Sequence, residues 1–167
     1  MRGALPADLA RWATALRQAH FPPERNFLAA HVTLFHALPP SAEPELRALL
    51  AAIAADEPPP EARLSAVIKL GRGTALAIES PAMLQIRDRI AERMHGLLTP
   101  QDTQRPRLHI TIQNKVTADA ARELHAALAP TFTPADFAFR GLSLHEYRGG
   151  PWRDLRLFAF RGHPVRR

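Results

Sequence analysis

Two short segments carry the groups in this chain that could do chemistry. His31-Val32-Thr33-Leu34 and His109-Ile110-Thr111-Ile112 share one pattern: histidine, β-branched residue, threonine, aliphatic residue. On a strand, side chains alternate, so each histidine shares a face with its threonine, about 7 Å apart at ~3.3 Å rise per residue. Two such strands side by side would line one groove with two imidazoles and two hydroxyls. That set suits attack on a phosphodiester. One group must take a proton from the nucleophile, and another must protonate the leaving oxygen on the opposite side. Imidazole titrates near pH 6.5, so one histidine can be neutral while the other is charged. The hydroxyls can donate to the non-bridging oxygens, where transition-state charge must be held. No metal is required, and no carboxylate cluster suited to magnesium is visible.

Eight histidines and nine threonines in 167 residues give on the order of 0.4 His-x-Thr occurrences by chance. A matched pair with equivalent neighbours is therefore the stronger signal, where a single motif would be weak. His20, His36, His95, His125, His145 and His163 lack a threonine partner and read as ordinary. His36 falls on the strand face opposite His31, and the His31/His36 spacing is not that of a helical metal pair. Arg105 and Arg107, just before the second motif, stand where a strand entry could touch phosphate. Tyr147, Arg148 and Trp152 flank a Gly-Gly-Pro turn, and aromatic plus arginine is what stacking on a base would use.

The elements that must position these groups follow from spacing. Leu9, Trp12 and Leu16 predict an amphipathic helix over 7–19, and residues 27–35 read as the first motif's strand. Ser41 is a candidate N-cap for a helix with Leu46, Leu49, Leu50 and Ile53 inward. Leu64, Ala66, Ile68 and Leu70 alternate on one strand of a hairpin that turns at Gly71-Arg72-Gly73 and returns through Leu76 and Ile78. Ser80-Pro81 opens a helix to about Leu98 with Ile86, Ile90 and Met94 inward. Thr99 to Pro106 reads as a link, Leu108–Ile112 as a strand, and Thr117 as the cap of a helix carrying Ala121, Leu124 and Leu128. Two closing strands are expected over 135–146 and 154–161, with a bulge near Gly141. The result is an α+β fold, mostly antiparallel sheet covered by helices. The first half opens with a helix and the second with its motif strand, which leaves two readings open, a strand missing ahead of Met1 or a misplaced start.

Composition sets bounds. Hydrophobic residues make 46% of the chain and charged residues 23%, which suits a folded domain rather than a disordered chain. With no cysteine, disulfides and thiolate chemistry are excluded and a reducing cytoplasm is expected. No apolar run approaches the ~20 residues needed to cross a bilayer, so no membrane association is expected. The net charge of +6 comes from arginine, since Lys69 and Lys115 are the only lysines. It favours anionic partners. The terminal Arg166-Arg167 reads as a frayed tail.

The two motifs, the Pro22-Pro23-Glu24-Arg25-Asn26 segment before the first, and Tyr147-Arg148-Gly149-Gly150-Pro151-Trp152 near the end resemble the two-histidine phosphoesterase superfamily, specifically its bacterial 2′-5′ RNA ligase-like proteins. The resemblance covers nearly the whole chain from about Trp12. It implies a single bilobal domain over 1–167, with lobes at about 1–98 and 107–161 related by pseudo-twofold symmetry across a central cleft. It implies 2′,3′-cyclic phosphodiesterase activity on RNA or nucleotides, with 2′-5′ ligation as the reverse reaction and no cofactor. His31 and His109 would be the acid/base pair, with Thr33 and Thr111 as phosphate binders. Lys115, Arg107, Tyr147, Arg148 and Trp152 are further candidates for substrate contact. One departure is visible: relatives carry arginine three residues after the second threonine, where this chain has Asn114 followed by Lys115. Two other readings stay open, a non-catalytic RNA-binding module and an enzyme acting on a small nucleotide such as ADP-ribose cyclic phosphate. A monomer is expected.

Overall fold

The computed structural model describes residues 1–149 and 152–163. Gly150 and Pro151 of the expected turn, and the Arg166-Arg167 tail, lie outside the described residues. Four α-helices and eight strands follow in the order β1 (Arg2–Ala4), α1 (Ala7–His20), β2 (Val32–Thr33), α2 (Glu43–Asp56), β3 (Glu61–Lys69), β4 (Thr74–Glu79), α3 (Pro81–Arg93), β5 (His109–Gln113), α4 (Ala118–Leu128), β6 (Ala135–Ala138), β7 (Gly141–Tyr147) and β8 (Trp152–Ala159).

The strands form one antiparallel sheet in the order β6-β3-β4-β5-β2-β1-β7-β8. The two motif strands meet at its centre, with three strands on either side. The halves are not successive stretches of chain, because β3 and β4 pair with β5 and β6 while β1 and β2 join β7 and β8. Residues 2–4 occupy the slot between β2 and β7. β1 is too short to show a period in the sequence, yet it supplies a strand to the first half ahead of α1.

Several elements differ from their sequence pattern for identifiable reasons. The strand expected over 27–35 shrinks to Val32–Thr33 because α1 takes the backbone groups of the preceding loop. Ala30 N–H donates to Thr14 Oγ1 at 3.1 Å, and Arg17 Nε donates to the Leu28 carbonyl at 3.0 Å. On α1 the fully buried positions are Ala13 and Arg17, while Trp12 is 44% exposed instead of facing inward. Ser41 does not cap α2, since a 3-10 turn over Pro40–Ala42 precedes the helix. In β3 a bulge between Leu64 and Ala66 moves burial from the expected Ala66 and Ile68 to Val67. The α3 helix stops at Arg93, short of Leu98, although Ser80 Oγ caps its start by accepting from Met83 N–H and Thr117 Oγ1 likewise caps α4. The single strand expected over 135–146 splits around Phe139-Arg140, with β6 at one edge of the sheet and β7 beside β1. Gly141 starts β7 against β8, where a Cβ would collide with the Phe158 carbonyl.

Val32, Leu34, Ile110 and Ile112 all lie in the core, together with Leu46, Leu50 and Ile53 of α2 and Ile86 and Ile90 of α3. One face of each motif strand is thus spent on packing, which fixes the other face and its register.

The Thr99–Pro106 stretch is more than a link. Asp102 is 2% exposed, and its carboxylate accepts from His36 N–H at 2.9 Å, Ala37 N–H at 3.0 Å, Thr99 Oγ1 at 3.1 Å and His36 Nδ1 at 3.0 Å. Burial alone would raise its pKa, but the backbone N–H groups of Ala37 and His36 outweigh that and hold it below the ordinary carboxylate value. The stabilisation from a depressed carboxylate is present above its unfolded pKa and is lost as pH falls through the lower folded one. Asp102→Asn is expected to cost about 2 kcal/mol at pH 7. In urea unfolding the gap between wild type and variant should shrink as pH drops below about 4.

Candidate active site

Val32 pairs with Ile110 across the antiparallel β2–β5 ladder. One step either way sets His31 opposite Thr111 and Thr33 opposite His109, all four on the face turned away from the core. The four are half-buried, whereas Val32 and Ile110 are fully buried. The arrangement has local twofold character, each imidazole facing the other strand's hydroxyl.

The two imidazoles are held in the same way. His31 Nδ1 lies 2.8 Å from the Ala29 carbonyl, and His109 Nδ1 lies 2.7 Å from the Arg107 carbonyl. A carbonyl oxygen only accepts, so each Nδ1 carries the proton and donates it. Among the described residues Nε2 meets no hydrogen-bond partner on either ring, and it offers a lone pair on a neutral imidazole or an N–H on a charged one. Both contacts run to the carbonyl two residues upstream, so each ring is oriented by its own chain.

Their surroundings are not equivalent. The His31 pKa is lowered to about 4, chiefly by burial, then by the positive charge of Arg2, with smaller effects from Arg17 and His145; the Ala29 carbonyl opposes the shift. His31 is therefore neutral at pH 7. Arg2 sits opposite both Thr33 and Ser143 in the sheet, which places it on the motif face. Its guanidinium lies 5.4 Å from the Trp152 ring centroid.

Beside His31 a cavity of about 350 Å³ is lined by Arg2, Ser143, His145, Trp152 and Asp154, among others. His145 Nδ1 donates to Asp154 Oδ1 at 2.8 Å, and its Nε2 accepts from Ser143 Oγ at 2.9 Å. Burial and the charge of Arg2 lower the His145 pKa, with Asp154 opposing. His145 read as ordinary in the sequence, and Arg2 was not singled out. Only the sheet, which brings residue 2 next to residue 143, puts them by His31.

Arg17 was missed as well. It is 5% exposed, and its Nη1 donates to the Thr111 carbonyl at 3.0 Å while Nε donates to Asn26 Oδ1 at 2.8 Å and to Leu28 O. Its guanidinium lies 3.9 Å from the Phe21 ring centroid. This one side chain ties the β5 motif strand to the loop that delivers His31. An arginine inside an amphipathic helix carries no sequence signal of that role.

The remaining candidates fall in different places. Trp152 lines the cavity beside His31, and Tyr147, 59% exposed, packs on it with ring centroids 5.0 Å apart. Arg148 is turned to Glu146, to which its Nε donates at 2.9 Å, and does not line that cavity. Arg107 orients His109 through its carbonyl while its side chain is exposed. Arg105 is paired with Asp88 at 3.0 Å. His36 is engaged by Asp102 on one ring nitrogen and meets Gln101 at 3.2 Å on the other. Lys115 lies beyond the end of β5, in the left-handed region at φ 60°, a conformation costing a non-glycine residue about 1–2 kcal/mol. Asn114 Oδ1 accepts its backbone N–H at 2.8 Å. Among the described residues no group of three or more His, Cys, Asp or Glu is placed to hold a metal ion, and no helix is long and apolar enough to cross a membrane.

A family model described as the 2′-5′ RNA ligase superfamily matches residues 5–151. No curated protein matches the chain in sequence. Among solved structures, TT0787 of Thermus thermophilus is 18% identical, with a TM-score of 0.63 over 98% of this chain and 97% of that one. E. coli LigT complexed with NADP+ is 21% identical with a TM-score of 0.58, and LigT complexed with 3′-AMP is 20% identical with 0.57, each covering 95% of both chains. The α+β fold is thus shared over 95–98% of the chain, and the chain belongs to the 2′-5′ RNA ligase superfamily.

Proposed function

We propose that this member of the 2′-5′ RNA ligase superfamily is a metal-independent 2′,3′-cyclic phosphodiesterase acting on RNA or nucleotide ends, with 2′-5′ ligation as the same ring opening by a 5′-hydroxyl in place of water. The observation that carries the reading is the pair of imidazoles with matched Nδ1–carbonyl contacts, across a ladder that sets each one opposite a threonine. RNA binding alone calls for cations and aromatic surfaces. It gives no reason to hold two imidazoles with free Nε2 atoms.

In this reading His31, neutral at pH 7, takes the proton of the attacking water through Nε2. His109, with Nδ1–H anchored on Arg107 O, delivers a proton from Nε2 to the departing ribose oxygen. Thr33 and Thr111 hydroxyls donate to the non-bridging oxygens as charge builds there. The 3′-AMP and NADP+ held by LigT, which carry ribose phosphates, support a nucleotide-type ligand. The test is hydrolysis of 2′,3′-cyclic AMP, and of a short RNA ending in a 2′,3′-cyclic phosphate, in EDTA. Turnover that survives the chelator supports the reading, and the product isomer reports which oxygen leaves. Absence of turnover with retained RNA binding replaces it with the binding module.

Two further outcomes follow from the geometry. Thr33→Val and Thr111→Val should each lower kcat about tenfold to a hundredfold, with little change in fold, since one donor to the phosphoryl oxygens is removed from each. The pH profile should also depart from a bell with both limbs near neutrality. A base with pKa about 4 moves the acid limb of kcat/KM well below the limb near 6.5 that an ordinary histidine gives. Arg2→Ala removes a positive charge that favours the neutral imidazole, so its acid limb should lie at higher pH than the wild-type limb. A limb that stays put would mean that Arg2 does not act on the base.

A further inference from the structure

A second cleft, of about 640 Å³, lies past the end of β5, lined by Arg25, Leu70, Gly71, Arg72, Asn114 and Lys115. Three of these six residues are cations and none is an acid. No ion pair involves Arg25, Arg72 or Lys115 among the described residues. Elsewhere on this surface arginine is commonly matched: Arg11, Arg47, Arg63, Arg89, Arg93, Arg122 and Arg148 each meet a carboxylate.

The cleft is assembled from separate parts of the chain. The β3–β4 turn is tied to the segment after β5 by two contacts between the same residues: Val116 N–H donates to Arg72 O at 3.2 Å, and Arg72 Nε donates to Val116 O at 2.9 Å. Gly73 lets the turn approach, since a Cβ there would overlap the Gln113 carbonyl. Lys115, next to Val116 in that segment, is in the left-handed region. Arg25 comes from the segment before His31, ending a 3-10 turn next to the Asn26 that Arg17 grips.

From this placement we infer that the Arg25–Arg72–Lys115 cleft holds backbone phosphates of a single-stranded RNA whose 3′ end lies at the two histidines. Lys115 is four residues from Thr111, hence no more than about 14 Å along the chain. Cations at that reach would meet the phosphates upstream of the reacting one, and a mononucleotide has none there. The inference rests on the phosphodiesterase reading for its substrate. It makes an oligonucleotide, rather than a free cyclic nucleotide, the preferred one.

The test uses binding, so that it stands apart from turnover. A short single-stranded RNA ending in a 3′-phosphate is titrated by fluorescence anisotropy across a salt series, against wild type, Arg25→Ala, Lys115→Gly and the double variant. Lys115→Gly keeps the backbone conformation, because glycine adopts positive φ freely, and thermal unfolding confirms folded protein. Each cation that meets a phosphate contributes about 0.7 to the slope of log K against log salt for single strands. The double variant is expected to lose about 1.4 of that slope and to bind RNA at least tenfold more weakly at low salt. The ratio of kcat/KM for cyclic-phosphate-ended RNA over 2′,3′-cyclic AMP should fall in parallel. An unchanged slope overturns the cleft assignment even if the enzyme turns over both substrates. Loss of slope in a protein that hydrolyses neither leaves the cleft standing and removes the phosphodiesterase reading instead.

Discussion

Replacing His31 or His109 with alanine is expected to lower kcat on 2′,3′-cyclic AMP, and on RNA ending in a cyclic phosphate, by about a hundredfold or more, in EDTA and without loss of fold. The size is that of general acid–base catalysis, about 10² to 10⁴ for one positioned group. Both side chains are half-buried on the face turned away from the core, and the core packing is done by Val32 and Ile110. The double variant should fall little below the worse single one, because an acid and a base acting in one step fail together. The decisive comparison is activity against anisotropy with a 3′-phosphate RNA. Activity lost while binding is kept marks catalytic groups. Equal loss of both would make the two histidines binding residues. Turnover unchanged in either variant would remove that histidine from the mechanism.

The second large effect belongs to Arg17→Met. The guanidinium serves Thr111 O, Leu28 O and Asn26 Oδ1 from a buried position above the Phe21 ring. Methionine fills much of the space but leaves those acceptors without donors. At about 1–3 kcal/mol for each buried acceptor orphaned, with water rescuing the more open ones, the cost is about 3–4 kcal/mol. For a chain of this size that lowers Tm by roughly 6–16 °C. Arg17→Lys should rescue little, since one ammonium cannot span acceptors arranged for a planar fork. Activity measured well below the variant's Tm should still fall, because Thr111 and the His31 loop lose their common tie. Full activity in a destabilised variant would make Arg17 a matter of stability alone.

Both motifs were legible because their period of two and their chemistry coincide: the aliphatic residues face the core and the histidines and threonines do not. The caps at Ser80 and Thr117, and the 63–79 hairpin, were legible for the same local reason. What was hidden depends on pairing across long separations. Arg2-Gly3-Ala4 is too short to alternate visibly, yet it fills the slot beside β2. Arg2, Arg17 and His145 carry types common on any surface, and only the sheet order places them by His31. The 135–146 segment reads as one strand with a bulge near Gly141, whereas the chain leaves one edge of the sheet there and enters the other half. Ser41 looked like a cap because local composition cannot show that a 3-10 turn will take that place.

The position of β1 also dictates an order of events. Arg2 pairs with Thr33 on one side and with Ser143, 141 residues away, on the other. Contacts of such separation form late and slowly, since closing the intervening chain must precede any gain from them. A chain emerging from the ribosome exposes β1, β2 and β5 well before β7, so β1 keeps an unpaired edge until residues 141–143 arrive. Both imidazoles are therefore synthesised long before Ser143, His145 and Trp152, which complete the wall beside His31. The nascent protein carries both imidazoles ahead of the residues that enclose the cavity beside His31.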